Sequence, residues 1–398
     1  MAGEPLAGTG VTVRQADADD AVNGVLPRWV ALPETVEEIS AVLRACAEHD
    51  LAVVPAGGGT KLHWGHPPER CDVLLDMCCM NEILEHAAGD LVVRTQAGVT
   101  MGALATALAE KGQELALDPP FMEHTTVGGT LATATASPRA FRYGTARDLL
   151  IGITVVLPDG TIAKSGGKVV KNVAGYDLGK LFTGSQGTLG VIAEATFRLH
   201  PLPVERRWLV AETKVADLSD ELLLRLAASQ AEPAAVDIDC LDGKQATVAV
   251  LVEGSAAEHR ALALREVLGE GTISAGPPEW WGLILKDDVL LEVRFPPART
   301  LEAMAAAGEA TFSFRGSAAA GRAYLETWGD ISEDRLAAAV IRLRARIEAL
   351  GGRVTVPASP YEGVDRWGQI SGLPLMRRIK ERFDPGRRMS PGRYVGGI

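Results

Sequence analysis

Between residues 29 and 56 the apolar positions change period twice. Val30 to Leu32 form a short run, Pro33 interrupts it, and Val36, Ile39, Val42, Leu43 and Cys46 then recur at helical spacing before Leu51 to Val54 make a second run. This predicts a β-α-β unit that ends in glycines. CDVLLDM and GDLVVRTQAGV read as further strands and MGALATALAEKG as a helix with Gly112 just past its end. IGITVVLPDGTIAKSGG reads as a hairpin turning at Asp159-Gly160. Near residue 200 the texture shifts. LHPLPVERRW brings two prolines and a charge cluster, after which WLVAETK, AAVDIDC, ATVAVLVEG, VLLEVRF and RVTVPA predict strands. Helices are expected at 216–230, 256–269, 298–307 and 332–350, and the simplest arrangement is an antiparallel sheet with helices on one side. The tail, RIKERFDPGRRMSPGRYVGGI, starts as a basic helix and ends in coil; no internal repeat stands out.

Length adds a second constraint. At 398 residues the chain exceeds what one hydrophobic core normally supports, so two cores are expected. Apolar residues are 47% and charged residues 23% of the chain, and no apolar run approaches the ~20 residues of a membrane span. The first residues, MAGEPLAGTGVTVRQADADD, carry an acid where a secretory leader is basic, which predicts a cytoplasmic location. A net charge of -11 repels polyanions, so nucleic acid is not an expected partner. The five cysteines are odd in number, include an adjacent pair and lack CxxC spacing, which argues against a disulfide framework and against an iron–sulfur cluster held by this chain. His63 and His66, with Cys71, Cys78 and Cys79, lack the regular spacing of a zinc or iron site, so no metal is expected.

Three glycine-rich stretches stand apart from this background. In PAGGGTKL, residues 55–62, a strand runs into three glycines whose N–H groups are unobstructed, a geometry that accepts phosphate oxygens. It fits neither GxxxxGK[ST] nor GxGxxG, and a plain turn between strands is the competing reading. In DPPFMEHTTVGGTLATATAS, Pro119-Pro120 stiffen the approach, Thr126 offers a hydroxyl and Gly128-Gly129 allow close backbone contact. Small residues from Thr130 to Ser137 then suit tight packing beneath a flat group, or simply a packed helix. The third, KVVKNVAGYDLGKLFTGSQGTLGVI, sets glycines before a strand, with Lys171, Asn172, Tyr176 and Asp177 nearby.

Together PAGGGT, DPP…TVGG, YGTARDLLIGITVVLPDG and KNVAGYDLGKLFTGSQGTLGVI closely resemble the flavin domain of the PCMH-type (vanillyl-alcohol-oxidase-like) FAD-binding family. The KNVAGYDL segment and short C-terminal half are most similar to the E-type FAD-binding subunits of bacterial glycolate oxidases. The resemblance covers about residues 26–200 and the FDPGRRMSPGR ending. It implies an α+β fold: a two-subdomain PCMH-type FAD-binding domain over 26–200, after an N-terminal segment 1–25, then a ferredoxin-like α+β cap domain over 201–375. A C-terminal segment, 376–398, would return to the FAD domain. It further implies FAD held by Pro55, Ala56, Gly57, Gly58, Gly59 and Thr60, by Pro119 and Pro120, by Thr126, Val127, Gly128 and Gly129, and by a strand running through Gly187, Thr188, Gly190, Val191 and Ile192. Members that bind FAD covalently carry a His in or beside the first glycine loop; this loop has none, so noncovalent FAD is expected.

Oxidation of a hydroxy acid by flavin needs a base for the hydroxyl proton and a cation for the carboxylate. Arg142, Tyr143, Lys171 and Tyr176, with Arg147, flank the flavin motifs and are the catalytic candidates; Arg147-Asp148 also suits an internal ion pair, Tyr176-Asp177 domain packing and Lys171 neutralisation of the FAD phosphates. The His-rich substrate motif of related subunits is absent, since the only histidine after residue 200 is His259. The reading is therefore an FAD-binding subunit of a glycolate (2-hydroxy acid) oxidase complex. Its expected partners are a catalytic FAD subunit and an iron–sulfur subunit, with any membrane association through them. A stand-alone FAD-linked D-2-hydroxy acid dehydrogenase and a flavin-free structural subunit are the alternatives.

Overall fold

A computed structural model of the chain describes residues 5–167, 177–284 and 288–398. These fall into two compact units, one of residues 1–136, 145–202 and 370–398, the other of 137–144 and 203–369.

The first unit opens with β1 (Thr12–Gln15) and β2 (Trp29–Leu32), followed by α1 (Val36–Glu48), β3 (Val53–Ala56) and β4 (Val73–Asp76). The Thr35 hydroxyl accepts from the Glu38 N–H at the start of α1, two acids sit in its first turn, and Ile39, Val42, Leu43 and Cys46 form its buried stripe. Strands β2 and β3 both pair parallel with β4, giving the sheet order β1-β2-β4-β3. A second sheet takes β5 (Ile83–Ala87) and β6 (Val92–Gln96). Then come α2 (Met101–Ala109), β7 (Gln113–Glu114) and α3 (Val127–Thr133). Helix α4 (Ala140–Tyr143) belongs to the second unit; α5 (Ala146–Leu149), β8 (Leu150–Val156), β9 (Ile162–Gly166), α6 (Leu178–Phe182) and β10 (Val191–Arg198) return to the first. The antiparallel order is β5-β6-β10-β8-β9, with the β8–β9 hairpin turning at Asp159-Gly160 as the sequence predicts; β11 (His200–Pro201) pairs with β7.

The second unit contains a repeat that the sequence does not reveal. Strand β12 (Arg206–Lys214), α7 (Asp220–Ala227), β13 (Ala235–Cys240), β14 (Gln245–Glu253), α8 (Ala257–Leu268) and β15 (Thr272–Ser274) form one β-α-β-β-α-β half. The other half is β16 (Leu290–Arg294), α9 (Thr300–Glu309), β17 (Phe314–Ser317), β18 (Arg322–Glu326), α10 (Glu333–Ala349) and β19 (Arg353–Ala358). Each half orders its strands 4-1-3-2, the ferredoxin-like arrangement, and the second strands β13 and β17 pair antiparallel to make one eight-stranded sheet. Strands β17 and β18 had no clear apolar run because β17 holds Arg315 and Gly316 and β18 alternates Arg322, Ala323, Tyr324 and Leu325.

Period-two alternation separates the faces of this sheet. Val236, Ile238, Val248, Val250, Leu291, Val293 and Leu325 pack with the helices. The opposite face carries Asp239 with Arg315 at 2.8 Å and Glu292 with Arg322 at 3.0 Å. Buried Asp237 also lies there, its carboxyl pushed up to about 7 by burial against only a partial offset from the Ser317 hydroxyl.

The tail helix α11 (Leu373–Phe383) is fixed to the first unit by a buried ion pair. Lys380 Nζ donates to Asp384 Oδ2 at 2.8 Å and to the carbonyls of Thr188 and Met389 at 2.7 and 2.9 Å, while Asp384 accepts the N–H groups of Arg388 and Met389. Beyond it, the Val53 N–H donates to the Arg388 carbonyl and the Ser390 N–H to the Val53 carbonyl, so the tail lies along β3. Among the described residues no helix is long and apolar enough to cross a membrane.

Two outcomes follow for stability. Asp237 is protonated to a higher pH in the fold than in the unfolded chain, so the folded state holds the extra proton and stability declines as pH rises from about 4 towards 7. Asp237→Asn removes that slope and raises stability at pH 7.5 by about 2–4 kcal/mol, read from urea unfolding at pH 5 and 7.5. Asp384→Ala strands the buried Lys380 charge and costs about 3–5 kcal/mol, whereas adding Lys380→Met in the same chain recovers most of the loss.

Candidate functional site

The residue types that set the site are glycines brought close against carbonyl oxygens and small side chains of other segments. Thr126 is the N-cap of α3, its hydroxyl accepting the Gly129 N–H at 3.2 Å. A Cβ on Gly57 would lie 2.2 Å from that same hydroxyl, and one on Gly58 would lie 1.6 Å from the His124 carbonyl oxygen. Gly98, in the turn after β6, meets the Met77 carbonyl at 1.9 Å in the same sense, and Gly128 meets the Ala97 methyl at 2.9 Å. The three turns are therefore locked edge to edge. Their glycines serve these internal contacts as much as they bare the backbone to a ligand.

Between the locked turns runs a groove confined to the first unit. It is lined by residues Pro55 to Thr60, by Thr126, Gly128 and Gly129, and by Gly187, Gly190, Val191 and Ile192. These three stretches lie about 60 residues apart from one to the next in sequence and meet here. Gly187 takes φ +71° and Gly190 φ +154°, so both sit in turns where a side chain is strained, and β10 begins only at Val191. The expected strand through Gly187 and Thr188 is thus a loop. The Thr188 hydroxyl turns inward to the Ser185 carbonyl, and Val127 is buried in the core, so neither faces the groove. Pro119 and Pro120 lie behind it and reach it indirectly: the Pro120 carbonyl accepts from Thr125 Oγ1 at 2.8 Å, and Thr125 Oγ1 is 3.2 Å from Thr60 Oγ1.

Several lining residues carried no motif. Ala132 and Thr133, among the small residues noted after Gly129, face the groove with Leu62, Trp64, Met77, Ala97 and Gln186. Lys61 and Arg393 supply its cations. Arg393 Nη2 donates to the carbonyls of Leu62 and Trp64 at 2.8 and 2.7 Å, so a residue of the tail holds the segment after the glycine loop. Lys61 adjoins the glycines in sequence, and that position was its one available signal. Arg393 had none beyond belonging to a basic tail.

Of the catalytic candidates, Arg142 and Tyr143 fall elsewhere. Lys171 and Tyr176 lie outside the described residues. Arg142 and Tyr143 sit on α4 in the second unit, where the Tyr143 hydroxyl donates to Glu253 Oε2 at 2.8 Å and Arg142 Nη1 to the Glu232 carbonyl at 3.0 Å. Arg139 and Arg206 pair with the same buried Glu253 carboxylate, so this cluster is a polar anchor for residues 137–144. Asp148 closes a capping box with Thr145 on α5. Burial pushes the thiols of Cys46 and Cys71 up to about 12, which leaves both protonated and unreactive at neutral pH.

A groove lined by glycine-rich turns, apolar side chains and two cations suits a ligand that has a charged centre and flat apolar ends. Gly58→Ala forces a methyl onto the His124 carbonyl and strains the locked turns by about 1–3 kcal/mol, weakening FAD binding about tenfold or more. Gly89→Ala, with nothing within 4 Å of the added carbon, leaves it unchanged; flavin absorbance per chain after gel filtration compares the two.

Comparison with known proteins agrees with this geometry. Residues 27–166 match the FAD binding domain family. The chain is 37% identical over 212 residues to the glycolate oxidase subunit GlcD of Bacillus subtilis, covering 53% of this chain and 45% of that protein. It is 38% identical over 181 residues to the mitochondrial D-lactate dehydrogenase [cytochrome] 1 of Saccharomyces cerevisiae, covering 44% of this chain and 30% of that one. The chain thus spans less than half the length of these curated relatives. In fold it resembles substrate-bound p-cresol methylhydroxylase, with a TM-score of 0.73 at 18% identity over 92% of this chain and 88% of that one. Residues 27–166 therefore form an FAD binding domain, the chain shares the fold of p-cresol methylhydroxylase, and FAD is its cofactor.

Proposed function

We propose that this chain is the FAD-carrying subunit of a glycolate (2-hydroxy acid) oxidase or dehydrogenase assembly, in which electrons leave the substrate through flavin and pass to an iron–sulfur partner. The observation that carries the reading is the groove itself, where three remote glycine-rich stretches converge with two cations and no carboxylate among the described lining residues. FAD, when bound, supplies the hydride acceptor. The chain's own groups bind and orient it: loop N–H groups of Gly57 to Gly59 and the cations Lys61 and Arg393 suit the diphosphate, while Ala132, Val191 and Ile192 suit flat rings. No histidine stands among residues 56–60 to form a covalent link, so the cofactor is held noncovalently.

A separate electron acceptor fits the sequence, since the five cysteines have no cluster spacing. A 2-hydroxy acid substrate is supported by the names of the relatives, a glycolate oxidase subunit and a D-lactate dehydrogenase. Catalysis shared with a second flavin subunit accords with Arg142 and Tyr143 being engaged with Glu232 and Glu253, and with His259 being exposed on α8.

Purification of the chain alone and with its co-purifying proteins tests this reading. The isolated chain is expected to hold FAD yet reduce a dye with glycolate or D-lactate at least about tenfold more slowly than the co-purified assembly, which also shows iron–sulfur absorbance. Brisk turnover of either acid by the isolated chain would replace the subunit with a self-sufficient dehydrogenase.

A further inference from the structure

The charges in the groove are of one sign, and they are not equivalent. Its lining comes from β3 and the loop after it, the turn after β4, the residue after β6, α3, the loop before β10, the start of β10 and the tail; among these described residues the charged ones are Lys61 and Arg393. Arg393 is committed to protein carbonyls. Lys61 is not. Its Nζ lies 3.4 Å from Thr60 Oγ1, 3.5 Å from Thr125 Oγ1 and 5.9 Å from the centre of the Trp64 ring, and among the described residues no carboxylate pairs with it. Contacts of that length are at the outer limit of hydrogen bonding. Thr125 Oγ1 already gives its proton to the Pro120 carbonyl, so the two hydroxyls and the ammonium together form a polar corner beside Gly57 to Gly59 with no carboxylate among the described residues.

We propose that Lys61 supplies the counter-charge for the diphosphate of FAD and takes up a proton as the dinucleotide binds, so that cofactor retention is linked to pH. The inference rests on the groove being the FAD site. Without a ligand, burial alone pushes the ammonium down to about 8. An adjacent dianion raises that value. Affinity is then level below about pH 8 and falls as pH rises through the raised value, with net proton uptake in that window. Arg393 stays charged throughout. His63 and His66 lie in the same segment, and a lysine-to-arginine exchange separates Lys61 from them.

The test is calorimetric titration of the flavin-stripped full chain with FAD and with riboflavin, which lacks the diphosphate, from about pH 6.5 to 9.5 in two buffers of different ionisation enthalpy. Expected for the unaltered chain are proton uptake on FAD binding above about pH 8 and none with riboflavin. Lys61→Met weakens FAD about 10- to 100-fold at pH 7, abolishes the uptake and leaves riboflavin affinity unchanged. Lys61→Arg restores affinity and loses only the pH step, which also shows that the fold is intact. FAD affinity in the unaltered chain that ignores pH, or Lys61→Met binding FAD as tightly as the parent, overturns the proposal while leaving the groove as the FAD site. A chain that takes up no FAD at any pH overturns both.

Discussion

The first unit depends on backbone approaching backbone more closely than any side chain permits. Gly57 against the Thr126 hydroxyl, Gly58 against the His124 carbonyl and Gly98 against the Met77 carbonyl pin three turns that belong to different sheets and to α3. Interiors pack at near-crystalline density, so a single methyl at such a contact has nowhere to go. The groove exists because these turns cannot spread apart or close together. Its floor is formed by backbone, and the specificity for a flat, elongated cofactor is a by-product of that rigidity.

Around this frame the charges are arranged with few redundancies. Among its described lining residues the groove has no carboxylate and holds Lys61 and Arg393, one with weak hydroxyl contacts and the other bracing the segment after the glycine loop. The bracing residue comes from the tail, which the buried Lys380–Asp384 pair ties to the carbonyl of Thr188, one residue beyond the lining glycine Gly187. A buried ion pair adds little net stability over an apolar substitute, but it tolerates no misplacement. Here it sets the path of the segment that delivers Arg393.

The second unit answers a different constraint. Two ferredoxin-like halves joined through β13 and β17 bury one face under helices and carry on the other a mixed set, with Arg315–Asp239, Arg322–Glu292 and the protonation-prone Asp237 beside the apolar Trp208, Ala235 and Leu251. Joining second strand to second strand removes an exposed edge from each half and makes one wide sheet from two small ones.

Much of this was legible in the residues themselves. Helix α1 followed from Val36, Ile39, Val42, Leu43 and Cys46, the β8–β9 hairpin from Asp159-Gly160, and helices α7 to α10 of the second unit from their apolar spacing, because local periodicity and turn chemistry are properties of short segments. The glycine loops announced themselves by composition. What only the tertiary structure decided were relations between distant segments: that Gly58 meets His124, that Thr188 and Val127 turn away from the groove, that Arg393 reaches Leu62 and Trp64 across more than three hundred residues, and that two halves of unlike sequence share one topology. Strands β17 and β18 lack a legible apolar run because each shows the core only two residues, Phe314 and Gly316 in one and Ala323 and Leu325 in the other, and their pairing supplies the rest. A sequence fixes which segments can lie close to another chain surface; which surface they meet is settled by the packing of the whole.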